Sequence, residues 1–178
     1  MKKQLKIVLI FNGNLLPILE EWKQEGNSAH HLWGATELHK YGIDVEILPY
    51  EKYSFLKWIS NRLKFLGDLD LQLRVFLARE RYDAVYCAHQ MTVSLLTFLR
   101  LINLFNKPMV GIAHRSFQKS LLSQLFITLF VRGNDKLLCL NEKTKNHLRD
   151  EFKIPEKKLG LLHWCIDIKA LTTQWGKM

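Results

Sequence analysis

The chain has 178 residues, 48% of them hydrophobic, with a formal charge of +9 and a pI near 9.5. That length suits one domain with a full core and excludes two ordinary ones, and the apolar content excludes a disordered chain. The charge calls for an anionic partner, whether a phosphate ligand, a membrane surface or nucleic acid, and does not choose among them.

Leu5 to Phe11 is an apolar run broken by Lys6, as expected of a parallel strand covered on both faces. It ends at Asn12-Gly13-Asn14 with no small-residue cleavage site, so it reads as a first strand and not as a signal peptide. Asn12 to Gln24 reads as a long polar loop, marked by Gly13 and Pro17 and holding Trp22. A loop of that length at the carboxyl end of a first strand is expected to be functional, because open α/β sheets bind ligands along that edge. Gly26 lets the backbone come close to a ligand. Asn27 or Ser28 caps a following helix, whose first N–H groups would face an anion. That helix is expected to bury Ala29, Leu32, Trp33, Thr36 and Leu38, to stop at Gly42, and to feed Val45 and Ile47 into a strand ending near Leu48.

Phe55, Leu56, Ile59, Leu63 and Leu66 recur at helical spacing, Lys57, Arg62 and Lys64 carry the charge, and Trp58 and Phe65 flank the stripe. This is a basic amphipathic helix. A second helix, Asp68 to Arg81, is expected to bury Leu69, Leu73, Phe76 and Leu77, and Asp83 to Cys87 is a strand with His89-Gln90 at its carboxyl end. Thr92 to Phe105 is helical until Asn106-Lys107-Pro108, since proline disfavours helix at the residue before it. Met109 to Ile112 is the next strand, with Ala113-His114-Arg115 at its carboxyl edge. Leu121 to Val131 is the most apolar segment, stopped by Gly133-Asn134. Spanning a bilayer takes roughly 20 apolar residues, so this helix is buried or interfacial. Lys136 to Leu140 is a strand, Glu142 to Phe152 a helix capped by Asn141, Leu159 to Leu162 a short strand, and Ile168 to Thr172 a last turn. Strands alternate with helices throughout, which predicts an α/β fold of a single domain with a Rossmann-like, doubly wound parallel sheet.

Cys87, Cys139 and Cys165 form no Cys-x-x-Cys pair and are odd in number, which fits a reducing compartment without a disulfide scaffold. His30 and His31 have no third ligand in view, so no metal is expected, and no recognised nucleic-acid motif is present.

Four segments, in order, follow one pattern. They are Gly26, His30, Glu37-Leu38 and Gly42-Ile43-Asp44-Val45; Tyr82 to His89; Lys107-Pro108-Met109-Val110 with His114; and Asn134-Asp135-Lys136 through Asn141-Glu142, continuing to Ile154-Pro155-Glu156-Lys157-Lys158-Leu159 and Ile166-Asp167. From about Leu5 to Leu171 the chain resembles the N-terminal Rossmann-like half of GT-B glycosyltransferases, specifically the retaining glycosyltransferase family 4. It departs from the pattern at Glu25, where the family has a first glycine, at Asn141, where it has serine, and at Trp164-Cys165, where it has Asn-Gly.

The resemblance implies an acceptor-side domain. It would serve transfer of a sugar from a nucleotide sugar, with no other cofactor, to a hydroxyl of a lipid-linked or polysaccharide acceptor. The donor-binding C-terminal half is expected to be absent from residues 1–178, so the chain alone is expected to be inactive and to need a donor-domain partner. Gly26 and Asn27 would meet the donor diphosphate, and His114 would face the transferred sugar as the catalytic histidine. His89, Gln90 and Arg115 would touch the acceptor, and Asn141, Glu142 and Asp167 would lie at the domain interface. Each has a plainer structural reading: a turn glycine, strand-end hydrogen bonding, a helix cap. Lys57, Arg62 and Lys64 either pack a helix on the sheet or form a membrane patch. The second choice draws on the stretch from Ala84 to Asn134, which has no Asp or Glu but holds Arg100, Lys107, Arg115, Lys119 and Arg132. The expected location is cytoplasmic, peripheral at the inner membrane face. Two alternatives stand beside this reading: a non-catalytic, acceptor-binding or membrane-associated subunit of a split glycosyltransferase, and an unrelated Rossmann-like nucleotide binder.

Overall fold

A computed structural model describes residues 4–25, 32–90, 92–114 and 121–162. Within them six parallel strands form one sheet: β1 (Leu5–Ile10), β2 (Ile43–Ile47), β3 (Ala84–Cys87), β4 (Met109–Ala113), β5 (Lys136–Cys139) and β6 (Leu159–Leu161), in the order β2-β1-β3-β4-β5-β6. The helices are α1 (Leu16–Glu25), α2 (Ala35–Leu38), α3 (Ser54–Arg62), α4 (Leu69–Leu77), α5 (Ser94–Leu101), α6 (Leu121–Gly133) and α7 (Glu142–Phe152). This is the expected Rossmann-like α/β sheet.

The strands read as apolar runs because both sheet faces are covered. Val8, Ile10, Val85 and Cys87 point into a core with Val75, Leu96, Ile127, Phe130 and Leu148 from α4 to α7. Ile7, Leu9, Tyr86 and Ile112 point the other way, against Leu15, Leu32, Trp33 and Ala35 from the α1 and α2 region. An aspartate ahead of a strand twice secures the neighbouring one. The Asp83 carboxylate accepts the Lys6 N–H at 2.9 Å, and that of Asp135 accepts the Met109 N–H at 2.8 Å.

Chain order reverses beside β1, which steps outward to β2 before the chain crosses back to β3. The crevice at the carboxyl ends of β1 and β3 is therefore the topological switch point, where doubly wound sheets bind ligands.

Three local expectations are corrected. Asn12 to Gln24 is not all loop. Leu15, Ile18, Leu19 and Trp22 share one face on the second core, Pro17 is tolerated in the first turn, and Asn14 Oδ1 accepts the Leu16 N–H at 3.3 Å, so α1 forms. The helix expected after Gly26 is, within the described residues, only α2 followed by a 3-10 turn, His39–Tyr41. Trp33 and Gly34 take left-handed backbone, φ 54° and 77°, and start it late. Gly42, φ 74°, ends it as anticipated. In α4 the buried apolar residues are Leu69, Leu71 and Val75, and Leu77 is 76% exposed. The other boundaries differ by a few residues at helix ends. α3 and α4 finish in 3-10 turns, and α5 stops before Phe105, where Asn103 adopts φ 61°.

The buried polar residue Gln72 joins three elements. Its amide N–H groups go to the Leu66 and Asp68 carbonyls at 2.7 and 3.0 Å, and its oxygen accepts the Leu95 and Leu96 N–H groups at 2.7 and 3.0 Å. It thus caps α5, whose own N-cap residue, Val93, offers no side-chain oxygen.

Candidate functional site

At the carboxyl edge of the sheet the chain leaves β1 through Phe11, β3 through Ala88-His89-Gln90, and β4 through His114. These ends meet Trp33 and form one ring cluster. Phe11 and Trp33 lie with centroids 5.7 Å apart, Phe11 and His89 at 6.3 Å, His89 and His114 at 5.3 Å, and Trp33 and His114 at 4.6 Å.

His114 is held at three points. Its backbone N–H donates to Gln90 Oε1 at 3.0 Å, its Nε2 lies 2.6 Å from the Ala88 carbonyl, and its ring stands edge-on to Trp33. A carbonyl only accepts, so Nε2 carries the proton, and in the neutral ring Nδ1 is the acceptor nitrogen. Trp33 is fixed in turn, because the buried Tyr86 hydroxyl donates to the Trp33 carbonyl at 2.9 Å. Burial pushes the Tyr86 phenol pKa well above its ordinary value, so it stays a neutral donor.

The expected site residues divide into groups. His89, Gln90 and His114 come together at the β3 and β4 ends. Asn141 and Glu142 follow β5 on the same edge, where Asn141 Oδ1 accepts the Thr144 N–H at 2.8 Å and so caps α7. Gly26, Asn27, Arg115 and Asp167 lie outside the described residues, as do His30 and His31. Among the described residues no group of three or more His, Cys, Asp or Glu is arranged to hold a metal ion.

The three cations of the α3 region point in different directions. Lys57 donates to the Tyr50 oxygen, faces Glu51 at 3.3 Å and Asp68 at 3.6 Å, and stacks over the Tyr50 ring. Burial opposes its charge, but these partners outweigh the cost and hold its pKa above the usual lysine value. Arg62 lies over the exposed Trp58 ring at 5.3 Å, and Lys64 lines a cavity beside His89. Lys57 is thus committed inside the fold, and only Arg62 shares the outer face with Phe55 and Trp58.

Sequence reasoning placed Trp33 in a core stripe and missed it as a site wall. The available signal was the glycine immediately after it, which allows the left-handed turn that brings the indole to the strand ends.

The family model of Glycosyltransferase Family 4 matches residues 23–170. This chain belongs to glycosyltransferase family 4. The family 4 chain also resembles a solved structure, HepE from Anabaena in complex with UDP and glucose, with TM-score 0.50 and 14% identity. The likeness covers 96% of this chain and 50% of HepE, so the chain spans about half the length of that protein. At this identity it bears on fold alone: the six-stranded sheet corresponds to one Rossmann-like half of a GT-B enzyme. No curated protein matches the family 4 chain. Among its described residues no helix is long and apolar enough to cross a membrane.

Proposed function

We propose that this chain is the acceptor-side half of a retaining glycosyltransferase. It would present an acceptor hydroxyl to a nucleotide sugar bound by a donor half, whether that half lies in the same polypeptide or in another. The observation that carries the reading is His114: a tautomer-fixed imidazole at a strand end beside the switch point, walled by Trp33 and His89. An imidazole held this way hydrogen-bonds a sugar hydroxyl or stabilises charge developing at the anomeric carbon. Gly26 and Asn27 would approach the donor diphosphate, with Gln90 and Arg115 beside the acceptor and Asn141, Glu142 and Asp167 toward the donor half.

Residues 1–178 assayed alone should show no sugar transfer from nucleotide sugars, while glycan titration should shift the His89 and His114 ring proton signals. Robust transfer by this chain alone, or imidazole signals that no glycan moves, would defeat the proposal.

A second reading, a membrane-associated acceptor-presenting subunit, is favoured by the outer face of α3. Phe55 and Trp58 are 67% and 56% exposed and stack at 6.3 Å with planes 15° apart, and Phe65 is 48% exposed. Aromatic side chains beside Arg62 suit an anionic leaflet, where each basic residue adds about 1 kcal/mol. Co-sedimentation with phosphatidylserine vesicles should occur and should be lost in the Trp58→Ala/Arg62→Glu double variant; no binding, or binding untouched by the double change, ends this reading.

A further inference from the structure

Between the ends of β1 and β3 and the inner face of α3 lies a cavity of about 230 Å³. α3 and its 3-10 extension give it Lys57, Ser60, Asn61 and Lys64, one helical stripe, while Phe55, Trp58 and Arg62 occupy the opposite stripe. Asn12, Tyr50, Gly67, Asp68, His89 and Thr92 complete the wall.

The side-chain oxygens that could receive a ligand's hydrogens are largely spent. Asp68 Oδ1 accepts the Leu71 N–H at 3.0 Å, and Oδ2 faces Lys57. Ser60 Oγ accepts the Leu69 N–H at 2.9 Å and donates to the Leu56 carbonyl at 3.0 Å. The Tyr50 oxygen accepts from Lys57, whose single charge is shared between two carboxylates, Glu51 and Asp68.

What remains is a surplus of donors. Tyr50 keeps its O–H. The carboxamides of Asn12 and Asn61 have no hydrogen-bond partner among the described residues. Lys64 is exposed and has no carboxylate partner among the described residues. Thr92 is 2% exposed, and its hydroxyl has no hydrogen-bond partner among the described residues. A buried hydroxyl left that way is unfavourable, and a ligand oxygen reaching it would relieve the cost. Free donors beside a lysine that no carboxylate pairs among the described residues suit an oxyanion.

We infer that this cavity seats a single oxyanion, a phosphate monoester or a carboxylate, carried on a sugar-sized ligand and held by Lys64 with Thr92, Asn61 and the Tyr50 O–H. The inference rests on the acceptor-side reading only in taking that ligand to be the acceptor. It makes the acceptor an anionic saccharide.

The test is calorimetric titration of the full chain with glucose, glucose 6-phosphate, glucuronate and inorganic phosphate. At least one charged sugar should bind tenfold or more tightly than glucose, and which one does so identifies phosphate or carboxylate. Inorganic phosphate should compete with it. Lys64→Gln should erase the preference and Lys64→Arg restore it. Thr92→Val should weaken the anion while leaving the melting temperature unchanged or higher, because the change removes a buried hydroxyl that lacks a partner. Equal binding of glucose and its charged relatives, absence of binding, or a preference indifferent to Lys64 and Thr92 would overturn the seat. Sugar transfer is not read in this titration, so a transferase acting on a neutral acceptor would sink the seat and leave the acceptor-side reading standing.

Discussion

Trp33 and His114 meet edge to face, ring centroids 4.6 Å apart and planes at 70°, although one follows the first long connection and the other ends the fourth strand. The indole packs against the imidazole, whose Nε2 is already tied to Ala88, so the ring has little freedom to turn. A histidine fixed in orientation and tautomer costs no reorganisation when a substrate arrives.

His114→Ala, measured in an enzyme that also carries the donor half, should lower kcat about 100-fold or more, within the range ascribed to positioned acid–base or charge-stabilising groups. KM for the nucleotide sugar should stay within a few-fold. A rise in KM with kcat unchanged would instead assign His114 to ground-state binding.

Trp33→Ala should cost about 3–5 kcal/mol, as large-to-small changes of buried aromatics do, because the side chain is 8% exposed and packs in the second core. Trp33→Phe should be milder. Denaturant melts give the stability, and the His114 ring signals should broaden or shift in both variants if the indole orients the imidazole.

Asp70 should be among the most sensitive charged positions. Its carboxylate is 1% exposed, pairs with Arg74 at 2.8 Å and accepts the Lys52 and Tyr53 N–H groups at 2.9 and 3.2 Å, pinning the β2–α3 connection to α4. Asp70→Ala leaves the Arg74 guanidinium and two amides uncompensated, and breaking a buried pair from one side costs about 3–5 kcal/mol. A melting temperature within 2 °C of the parent chain, about what less than 1 kcal/mol would produce, would refute this.

The buried thiols set an alkaline limit. Burial pushes Cys139 up to about 11 and Cys87 higher still. In the unfolded chain both ionise near the ordinary thiol value, so above it the native state binds more protons and stability falls as pH rises, from about 9 through 11 and beyond. Below that window the two thiols contribute no pH dependence. Urea midpoints taken from pH 8 to 11 should decline, and Cys139→Ala should flatten part of the slope. Neither thiol should react with a disulfide reagent at pH 8 before unfolding.

Much of this was readable from residue order. β1, β3, β4 and β5 announce themselves as short apolar runs followed by polar strand ends, and parallel pairing follows from the intervening helices. His89, Gln90 and His114 were legible as neighbours because strand carboxyl ends share one edge. Asn141 was legible as a cap because the helix begins at the next residue. α1 was less so: Pro17 and the flanking asparagines look like loop chemistry, and only the Leu15, Ile18, Leu19, Trp22 spacing argues otherwise. The late start of α2 depended on the backbone of Trp33 and Gly34, which no periodicity reports. Lys57 looked like a surface charge because its partners come from Glu51 and Asp68, one before and one after its own helix. The cavity beside it was invisible for the same reason, since its wall draws on the ends of two strands and on two helices.

The four hydrogen bonds of Gln72 carry a last implication. One carboxamide braces the corner formed by Lys64–Leu66, Asp68 and the start of α5, and it satisfies two donors and two acceptors at once. Glutamate, nearly the same shape, would present oxygen to two carbonyls and lose both clasps. Position 72 therefore braces one corner of the fold: loosening it would free Leu66 and Asp68 from the start of α5 while leaving every residue of the candidate site in the sequence intact.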